Sequence, residues 1–553
     1  MTNRQDGQID ALIIGAGIAG LTAALELAKQ QKQVIILDNQ DESQVGGLAR
    51  SAFGGMALVG TPEQKRNGIK DNPEVALKDW YSFANFSDDD KYPRQWAKHY
   101  VERSFEDVYC FVKNLGVKFL PAVNWVERGL YSSGNSLPRY HVMWGTSLDL
   151  VEKVMTALAP YINTYVHFKF NHHVDSLLTA ETNVVGCCAR AIQPGNVNIK
   201  ADANTNNKYG NEGVNFYAKN TIVASGGFTG NLQKVKENWP SIWSKPPKNL
   251  LNGTHPCGDG AMHDEIAKHG GNLTHMDKMW NYAAGIPHPQ PKFSGQGLSL
   301  IPCKSALWLD ADGKRIGPNP LVTGFDTNYL CQRMAEQKQG YAWQVLNWKI
   351  ASKEFAISGA EHNIMIRDKK FFRFLKETLF GNHRLIKQMQ TESDHFIVAN
   401  SVAELTKKMN AIAAENPIEQ AILQQTLDDY DQILARPESQ WNDEQIRRIE
   451  HARKWKADKL RTCKPHPIQD SKHGPLIAIK VMLISRKSLG GIQTNLNSQV
   501  LDNTEQCIKG LFAIGEAAGF GGGGASGEKS LEGTFLSGCI LTAQQAAKCI
   551  NRD

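Results

Sequence analysis

The sequence predicts an α/β fold, and two observations in its first forty residues support this prediction. The apolar run Asp10–Ile14 leads into the turn Gly15-Ala-Gly17-Ile-Ala-Gly20, and an Ala/Leu-rich helix follows the turn. A second apolar run, 34–37, ends in Asp38, 18 residues beyond the last glycine of the turn. This order of strand, glycine turn, helix, strand and acidic residue is typical of a Rossmann-like dinucleotide-binding unit with a parallel sheet.

Each glycine of this turn has its own physical reason. Gly15 permits the tight turn, Gly17 lets the backbone approach a pyrophosphate, and Gly20 lets the helix pack closely on the strand. The first turn of the helix, which includes Ala19, then directs unpaired amides and the positive end of its dipole towards the phosphates. Asp38 is placed to bind ribose hydroxyls, and no arginine follows it closely, so a 2′-phosphate is disfavoured.

Composition and charge exclude several classes of protein. A chain of 553 residues with 41% hydrophobic residues and 12 tryptophans is neither disordered nor fibrous, and its length indicates two or three domains. The net charge of +6 is spread along the chain, so charge alone favours neither nucleic acid nor a membrane surface as a partner. The apolar run Ala11–Ala28 is explained better by its glycine spacing than by a membrane span, so we expect no integral membrane segment.

The cysteines and histidines indicate neither disulfides nor a metal. The ten cysteines form no CxxC pair, and we expect them to be reduced in a cytoplasmic protein. The N-terminus has no secretory pattern. No His/Cys/Asp spacing resembles a set of metal ligands, so we predict no metal site.

Four further glycine clusters follow the first turn. They could be ordinary loops of a glycine-rich α/β protein, but their order and content argue against this. The clusters are Gly46-Gly47 with Gly54-Gly55, Ser225-Gly226-Gly227, Cys257-Gly-Asp259-Gly260, and Gly510–Gly519 with Gly521–Gly524 and Leu531-Glu-Gly533.

Taken together, these clusters resemble the flavoprotein family of fumarate reductases, succinate dehydrogenase flavoprotein subunits and 3-ketosteroid dehydrogenases. The resemblance covers nearly the whole chain, and within the family the sequence is most similar to a bacterial branch of FAD-binding dehydrogenases. The segments that suggest this branch are Pro93–Trp96, Arg139–Gly145, Gly324–Thr327, Arg486–Gly491 and Leu531–Phe535.

The resemblance implies FAD as the cofactor. The binding is expected to be non-covalent, because the turn 48–55 lacks the family's histidine. Only the GxGxxG at Gly15–Gly20 stands between an apolar strand and an Ala/Leu-rich helix, so no second dinucleotide domain for NAD(P)H is expected. The residues that the resemblance assigns to FAD are Gly15, Gly17, Ala19 and Gly20 at the pyrophosphate, Asp38 at the ribose, Val174 at the adenine, Gly46, Gly47, Ser51, Gly54 and Gly55 towards the flavin, Ala224, Ser225 and Gly226 behind the cofactor, Asp259, Glu516 at the ribityl chain, and Ser530 and Leu531 at the flavin N1–C2=O edge.

The cofactor motifs also predict the domain organisation. They occur before residue 275 and after about residue 475, so the FAD-binding domain is expected to be discontinuous. Residues 1–275 and 475–553 would form this domain, and residues 276–474 would form an inserted α+β cap that holds the substrate.

By the same resemblance, the reaction removes a hydride and a proton from adjacent carbons next to a carbonyl. Arg315, in the turn Gly313-Lys-Arg315, matches the family's proton-shuttling arginine, although the residues after it depart from the family pattern. Lys529 stands where fumarate reductases have a substrate arginine, and their substrate histidine is missing before Gly490. Dicarboxylate chemistry is therefore disfavoured. Tyr282 and Arg486 are the substitute candidates for catalysis.

Three functions remain open at the level of sequence. The first is an FAD-dependent dehydrogenase or reductase acting on a CH–CH bond of a ketone-bearing, ketosteroid-like substrate. The second is a flavin oxidoreductase of other chemistry, such as amine or alcohol oxidation, and the third is a binding protein on the same fold without turnover. For the first we expect a small-molecule substrate, a separate quinone or carrier as electron acceptor, no nucleic acid, and an assembly that could be a homo-oligomer.

Overall fold

The structure is a computed structural model that describes residues 9–192 and 212–552. Its first sheet has six strands, and all except the edge strand Gln499–Leu501 run parallel to one another. The predicted parallel, Rossmann-like sheet is thereby confirmed. In spatial order the strands are Gln499–Leu501, Cys507–Ala513, Asn220–Val223, Ala11–Ile14, Val34–Leu37 and Val166–Lys169.

Two small-residue helices cover one face of this sheet. Helix Ile18–Ala28 follows the glycine turn and packs along the last helix, Thr534–Ile550. A third helix, Thr146–Leu158, also packs against Ile18–Ala28. The remaining helices of the first part are Leu48–Ser51, Pro62–Arg66, Pro73–Ala84, Lys91–Arg103, the π-helix Ser104–Tyr109, Cys110–Asn114, Leu232–Glu237 and Ala261–Lys268, with 3₁₀ turns at Glu42–Gln44, Ala159–Tyr161 and Gly515–Ala517.

Three smaller sheets flank the first. One contains His172–Ala180, Asn183–Ala191 and Val214–Tyr217, and it packs on the opposite face of the parallel sheet. The others are Gly55–Ala57, Tyr140–Met143 and Phe119–Asn124, and the pair Leu273–Thr274 with Gly491–Ile492.

A second large sheet has eight strands and is mainly antiparallel. Its centre is the long strand Leu476–Ser488, which is almost wholly buried. The other strands are Leu251–Asn252, Met279–Pro287, Gly297–Ile301, Leu307–Leu309, Ala342–Asn347, Ala356–Ile357 and Phe396–Ala399.

Helices surround this second sheet, and most of them come from the chain between residues 327 and 461. Their buried stripe, which includes Leu423, Leu427 and Tyr430, belongs to the same apolar core as the sheet. The helices are Thr327–Ala335, Trp348–Glu354, Ile364–Arg367, Phe371–Phe380, His383–Glu392, Val402–Ile412, Gln420–Ala435, Glu444–Arg453 and Lys456–Arg461, with 3₁₀ turns at Glu438–Gln440 and Ser471–His473.

Two strands lie in a different sheet from the one that the expected domain limits imply: Leu251–Asn252, which falls before residue 276, and Leu476–Ser488. A limit at residue 475 groups Leu476–Ser488 with the first sheet, yet its hydrogen bonds join it to strands of the second sheet. The chain returns to the first sheet only after Ser488. The sequence did not reveal this, because a continuous apolar strand is compatible with either sheet until its hydrogen-bonding partners are known. Among the described helices, none combines the length and apolar composition that crossing a membrane requires.

Candidate active site

The glycine turn after Ala11–Ile14 contains two kinds of glycine. A Cβ added to Gly15 would lie 2.5 Å from the carbonyl oxygen of Ala224, and one added to Gly20 would lie 2.0 Å from that of Gly15. At Gly17, an added Cβ would meet nothing within 4 Å. Gly15 and Gly20 are therefore required by close packing within the protein, whereas Gly17 borders open space.

The space beside Gly17 fits the pyrophosphate of a dinucleotide. Helix Ile18–Ala28 begins there, and the first amides of a helix have no intrahelical acceptor. Because no side chain caps this first turn, these amides are available to a ligand. Gly47 faces Gly17, with an added Cβ 3.4 Å from the Gly17 Cα, and Gly226 has nothing within 4 Å of its Cβ position. Free amides, the positive end of the helix dipole and small residues together favour a phosphate.

Asp38 lies at the end of the neighbouring strand and is partly buried. Its Oδ2 accepts a hydrogen bond from the Ala16 amide at 2.6 Å, and its Oδ1 accepts one from the Gln40 amide at 2.8 Å. Burial raises the pKa of the Asp38 carboxyl above its ordinary value. Each oxygen keeps a further lone pair, so the carboxylate can brace the turn and still accept hydrogen bonds from ribose hydroxyls.

Several glycines assigned to FAD have partners within the protein. A Cβ on Gly54 would lie 2.5 Å from the Ser147 amide, and one on Gly55 would lie 1.9 Å from the ring of Tyr140. Packing therefore explains both glycines without a cofactor. Of the other residues assigned to FAD, Ala19 is buried in the first helix, Val174 is buried in its strand, and Gly46 packs on Val151. The Ala224 amide donates to the Ile14 carbonyl, and Asp259 accepts from the Ala261 amide. Ser51 is exposed and Ser225 is half-buried.

The last helix, Thr534–Ile550, begins beside this region. Ser530 and Leu531 are buried just before it, and Gly533 takes a positive φ of 99° at the N-cap. No side-chain hydrogen bond caps the first turn, so its amides and dipole remain available to a partly negative group.

A buried carboxylate connects the two large sheets. Glu516 follows the strand Cys507–Ala513 of the first sheet, and its Oε1 accepts a hydrogen bond from the amide of Ser488 at 3.0 Å, at the end of the central strand of the second sheet. Burial raises the pKa of Glu516 above its ordinary value, and nearby Lys487 opposes this shift. The carboxylate leaves no room at Gly227, where an added Cβ would lie 2.4 Å from Oε1.

A second carboxylate, Glu532, organises a group of polar and aromatic side chains. Its Oε2 accepts hydrogen bonds from Trp280 Nε1 and from the Tyr282 hydroxyl, each at 3.0 Å. Arg486 and Lys487 lie beside them, with the Arg486 guanidinium carbon 5.5 Å and the Lys487 Nζ 5.9 Å from the centre of the Tyr282 ring. These five residues are called the Glu532 cluster below.

Local strand geometry explains why the cluster forms. Trp280 and Lys487 are register partners in neighbouring antiparallel strands, so their side chains share a face of the sheet. The register shifts between Trp280 and Tyr282, and such an irregularity re-aims a side chain. Glu532 reaches this face from the turn before the last helix.

The surroundings of the cluster shift the pKa values of its two proton donors, Tyr282 and Lys487. Burial first, and the charge of Glu532 second, raise the pKa of the Tyr282 hydroxyl well above its ordinary value, so the phenol is neutral. Burial first, and neighbouring Arg486 second, lower the pKa of Lys487 to about 8. Lys487 Nζ lies 4.3 Å from the centre of the Phe535 ring, and it makes no ion pair within residues 9–192 and 212–552. The cluster can therefore donate or accept a proton near neutral pH.

Tyr140 is the next tyrosine beside the cluster. Its ring packs against both Gly55 and Gly533, where added Cβ atoms would lie 1.9 and 2.9 Å from ring carbons. Burial, followed by the charge of Glu532, raises the pKa of Tyr140 above its ordinary value. A neutral hydroxyl thus stands between the turn assigned to the flavin side and the start of the last helix.

The structure distributes the four predicted catalytic residues over three places. Tyr282 and Arg486 belong to the Glu532 cluster, and Arg486 also donates to the Gly253 carbonyl. Lys529 is bound to Asp326, with Nζ 2.8 Å from Oδ2.

Arg315 lies elsewhere, against the helices of the second sheet. It forms an ion pair with Asp443 at 2.5 Å, donates to Gln445 Oε1 at 2.7 Å and lies 5.2 Å from the centre of the Tyr430 ring. These partners lie on helices Gln420–Ala435 and Glu444–Arg453 or at the start of the latter, and they place Arg315 outside the Glu532 cluster.

Sequence reasoning missed Glu532, Lys487 and Tyr140. Glu532 directly follows Leu531 and Lys487 directly follows Arg486, two residues that were assigned to the site. Tyr140 lies in the segment Arg139–Gly145, which supports the family resemblance but was given no role. The sequence did contain a signal for two of them: Glu532 is a charged residue in a glycine-rich segment, and Lys487 is one at the end of a strongly apolar segment. Charged groups are rarely buried in such segments without a function.

Outside this site, three possible metal ligands meet although the sequence spacing predicts none. Ligand atoms of His288, Glu361 and His362 lie within 4.8 Å of one another. The Gln290 amide donates to His288 Nδ1 at 3.0 Å, so the neutral ring carries its proton on Nε2 and neither nitrogen is free. We therefore assign no metal to this group.

Comparison with known proteins agrees with the dinucleotide geometry. The chain matches the model of the FAD binding domain family over residues 10–536. It is 38% identical over 545 residues to a KsdD-like steroid dehydrogenase of Mycobacterium tuberculosis, covering 98% of this chain and 95% of that protein. A KsdD-like steroid dehydrogenase of Mycolicibacterium smegmatis is 37% identical over 532 residues, with coverage of 95% and 96%.

Solved structures share the fold at low sequence identity. A 3-ketosteroid Δ1-dehydrogenase from Sterolibacterium denitrificans superposes with a TM-score of 0.69 at 14% identity, covering 98% of this chain and 99% of that one. A flavocytochrome c3 fumarate reductase superposes with a TM-score of 0.66 at 18% identity, covering 99% and 79%. The predicted family and cofactor are confirmed: the chain belongs to the FAD binding domain family and is an FAD-dependent oxidoreductase that acts on CH–CH bonds.

Proposed function

We propose that this protein dehydrogenates a ketosteroid-like substrate at two adjacent carbons next to a ring ketone. Two relatives with at least 37% identity over nearly the whole chain carry the name of KsdD-like steroid dehydrogenase. The Glu532 cluster supports the same substrate class, because the neutral hydroxyl of Tyr282 next to a carboxylate suits proton transfer from a carbon beside a ketone.

The observation that carries this proposal is the hydrogen bond from the Tyr282 hydroxyl to Glu532 at 3.0 Å. A neutral phenol hydrogen-bonded to a half-buried carboxylate can take a proton from carbon while it passes its own proton to the carboxylate. In the proposed reaction, the substrate proton goes to Tyr282 Oη and the tyrosine proton goes to Glu532 Oε2. Bound FAD supplies the acceptor for the hydride that leaves the neighbouring carbon.

The negative charge that develops on the ketone oxygen needs a donor. Lys487 is an ammonium ion below pH 8, and the hydroxyl of Tyr140, whose pKa is raised by burial and by the charge of Glu532, is a neutral donor. We assign charge stabilisation to Lys487 and orientation of the carbonyl to Tyr140. Arg486 holds the strand end through Gly253 and adds positive potential beside Tyr282.

Lys529 and Arg315 are not free to bind a carboxylate substrate, whereas Arg486 and Lys487 of the Glu532 cluster form no ion pair among the described residues. Each of these cations already has a carboxylate partner, Asp326 for Lys529 and Asp443 for Arg315. A dicarboxylate would have to break such a pair to be bound by Lys529 or Arg315, which costs free energy.

An anaerobic reduction assay tests the proposed function. Purified holoenzyme is mixed with 3-ketosteroids, simple cyclic ketones, dicarboxylates and amines, and loss of flavin absorbance is followed. We expect bleaching by a 3-ketosteroid only. Bleaching by an amine would support the alternative of other flavin chemistry, and a protein that binds FAD but is bleached by none of them would contradict the proposal.

The proposal extends to the organisation of the molecule. The second large sheet and its helices, residues 276–488 with the short strand Leu251–Asn252, would form the substrate-side domain, and the rest of residues 1–275 with residues 489–553 would form the FAD-binding domain. Only one GxGxxG, at Gly15–Gly20, lies in a strand–turn–helix unit, so electrons would pass to a separate quinone or carrier instead of NAD(P)H.

A further inference from the structure

One helix of the second domain is unusually exposed. Helix Phe371–Phe380 has no buried residue, although six of its ten residues are large and apolar. Phe372 is 85% exposed and Phe380 is 73% exposed. Soluble proteins seldom leave such a continuous apolar surface uncovered unless it binds something.

The exposed apolar residues form one stripe along the helix. Phe371, Leu375 and Leu379 are spaced four residues apart, and Phe372 fills the gap beside them, so all four point to one side of the helix. The half-buried Phe374 attaches the other side to the protein, with its ring centre 5.6 Å from that of Trp144. Phe371 also reaches this ring, with its centre 6.2 Å from that of Trp144, so the helix is anchored at Phe374 and at one edge of Phe371 and presents Phe372, Leu375 and Leu379 outward.

Cations border the stripe. Residues 367–387 contain seven Lys or Arg and two Asp or Glu, a net charge of +5 in a chain whose total is +6. Both acidic residues are already paired, Asp368 with Arg367 and Lys370, and Glu377 with Arg384.

Three cations of this segment are free to bind an anionic partner. Arg373, Lys376 and Lys387 are exposed and form no ion pair in the part of the chain that the structure describes. Arg373 and Lys376 lie on the helix beside the apolar stripe. The neighbouring helix Lys456–Arg461 packs against this one and adds Leu460, which is 50% exposed.

We propose that helix Phe371–Phe380 docks the protein on an anionic phospholipid bilayer, with its apolar stripe at the acyl boundary and its cations at the lipid phosphates. An apolar face bordered by Lys and Arg is the arrangement of interfacial helices that lie in the membrane plane. A second copy of this chain is disfavoured as the occupant, because two segments of +5 would face each other.

The position of the helix gives docking a consequence for the site. Trp144, which anchors Phe374, directly follows the strand Tyr140–Met143, and that strand carries Tyr140 of the active site. Docking would hold this edge of the molecule against the phase into which apolar substrates and quinones partition.

Vesicle sedimentation tests the proposal with the whole protein. Vesicles of phosphatidylcholine with about 30% phosphatidylglycerol are compared with vesicles of phosphatidylcholine alone. We expect the protein to sediment with the anionic vesicles and to be released by about 0.5 M salt, which screens the charge attraction. Failure to bind the anionic vesicles overturns the proposal.

Paired variants separate the apolar from the charged contribution. Phe372→Ser/Leu379→Ser should weaken vesicle binding by at least about tenfold. Arg373→Gln/Lys376→Gln should weaken it by about 25-fold at low salt, since each cation contributes about a fivefold change in affinity.

Matched controls remove similar groups elsewhere. Ile242→Ser removes another side chain that is 66% exposed, and Lys236→Gln/Lys407→Gln removes two exposed cations. Both controls should bind vesicles like the unaltered protein. If they lose binding equally, or if Phe372→Ser/Leu379→Ser retains it, general charge and not this helix binds lipid. If that variant instead dissolves a dimer seen by analytical ultracentrifugation, a second copy covers the stripe and the proposal is wrong.

Discussion

At the scale of single residues, the hydrogen bond between Tyr282 and Glu532 is the feature most directly open to test. Tyr282→Phe keeps the ring that packs beside Trp280 but removes the hydroxyl that would carry the substrate proton. Steroid turnover should fall by about 10²–10⁴, the usual contribution of a general acid or base, with FAD still bound. Tyr217→Phe, at an exposed position, is the control and should leave turnover unchanged. Normal turnover in Tyr282→Phe would move the proton acceptor elsewhere.

The amine of Lys487 predicts a pH dependence. Its pKa is lowered to about 8, so the ammonium form is present below pH 8 and is lost as the pH rises through that value. If the ammonium stabilises the developing enolate, kcat should decline on the alkaline side with a midpoint near pH 8. Lys487→Met should be slow at every pH and lack this decline. A decline that persists in the variant would belong to another group.

Arg315 shows how tertiary contacts changed an expectation. The family resemblance makes Arg315 the expected proton carrier, but its ion pair with Asp443 favours a structural role. Arg315→Met should therefore lower the free energy of unfolding by about 1–3 kcal/mol, because it leaves a largely buried carboxylate without its charged donor. kcat should stay within about threefold of the original value, well short of the loss of a proton carrier. Urea unfolding and steroid turnover measure the two effects, and a large loss of turnover at unchanged stability would restore the catalytic assignment.

At the scale of elements, the glycine turn separates binding from folding. Gly17→Val places a branched side chain into the space assigned to the pyrophosphate, where the protein offers no obstacle within 4 Å. The variant should fold, with a normal circular dichroism spectrum, but purify without flavin colour.

Gly20→Val provides the contrasting case in the same turn. Its Cβ would lie 2.0 Å from the Gly15 carbonyl oxygen, so the strand and helix could not pack. This variant should lose thermal stability or fail to fold. Normal FAD content in Gly17→Val would refute the pyrophosphate assignment.

At the scale of the whole molecule, the arrangement of cations predicts substrate class. Lys529 is held by Asp326 and Arg315 by Asp443, and the family's histidine before Gly490 is absent. Fumarate should therefore not reoxidise the reduced enzyme at an appreciable rate. Turnover with fumarate at about 1–10³ per second, a typical enzyme rate, would show that these substitutions do not exclude a dicarboxylate.

The sequence by itself determined the fold class and the dinucleotide site, and its resemblance to a known flavoprotein family implied the cofactor and the reaction class. The fold class and the dinucleotide site depend on local order along the chain: a strand, a glycine turn, a helix and a terminal acidic residue are enough to specify a dinucleotide site, because backbone amides and the helix dipole do the binding. Tyr282 and Arg486 could also be selected, since both lie in segments that adjoin the flavin motifs.

Only the tertiary structure decided which charged groups meet. Glu532 joins Trp280 and Tyr282 across 250 residues of chain, and the partner of Arg315 lies 128 residues away on another helix. The central strand Leu476–Ser488 likewise joined the second sheet, as an apolar run does not reveal its neighbours. The physical reason is common to all three: burial, pKa and ion pairing depend on contacts between distant segments, and no local pattern encodes those contacts.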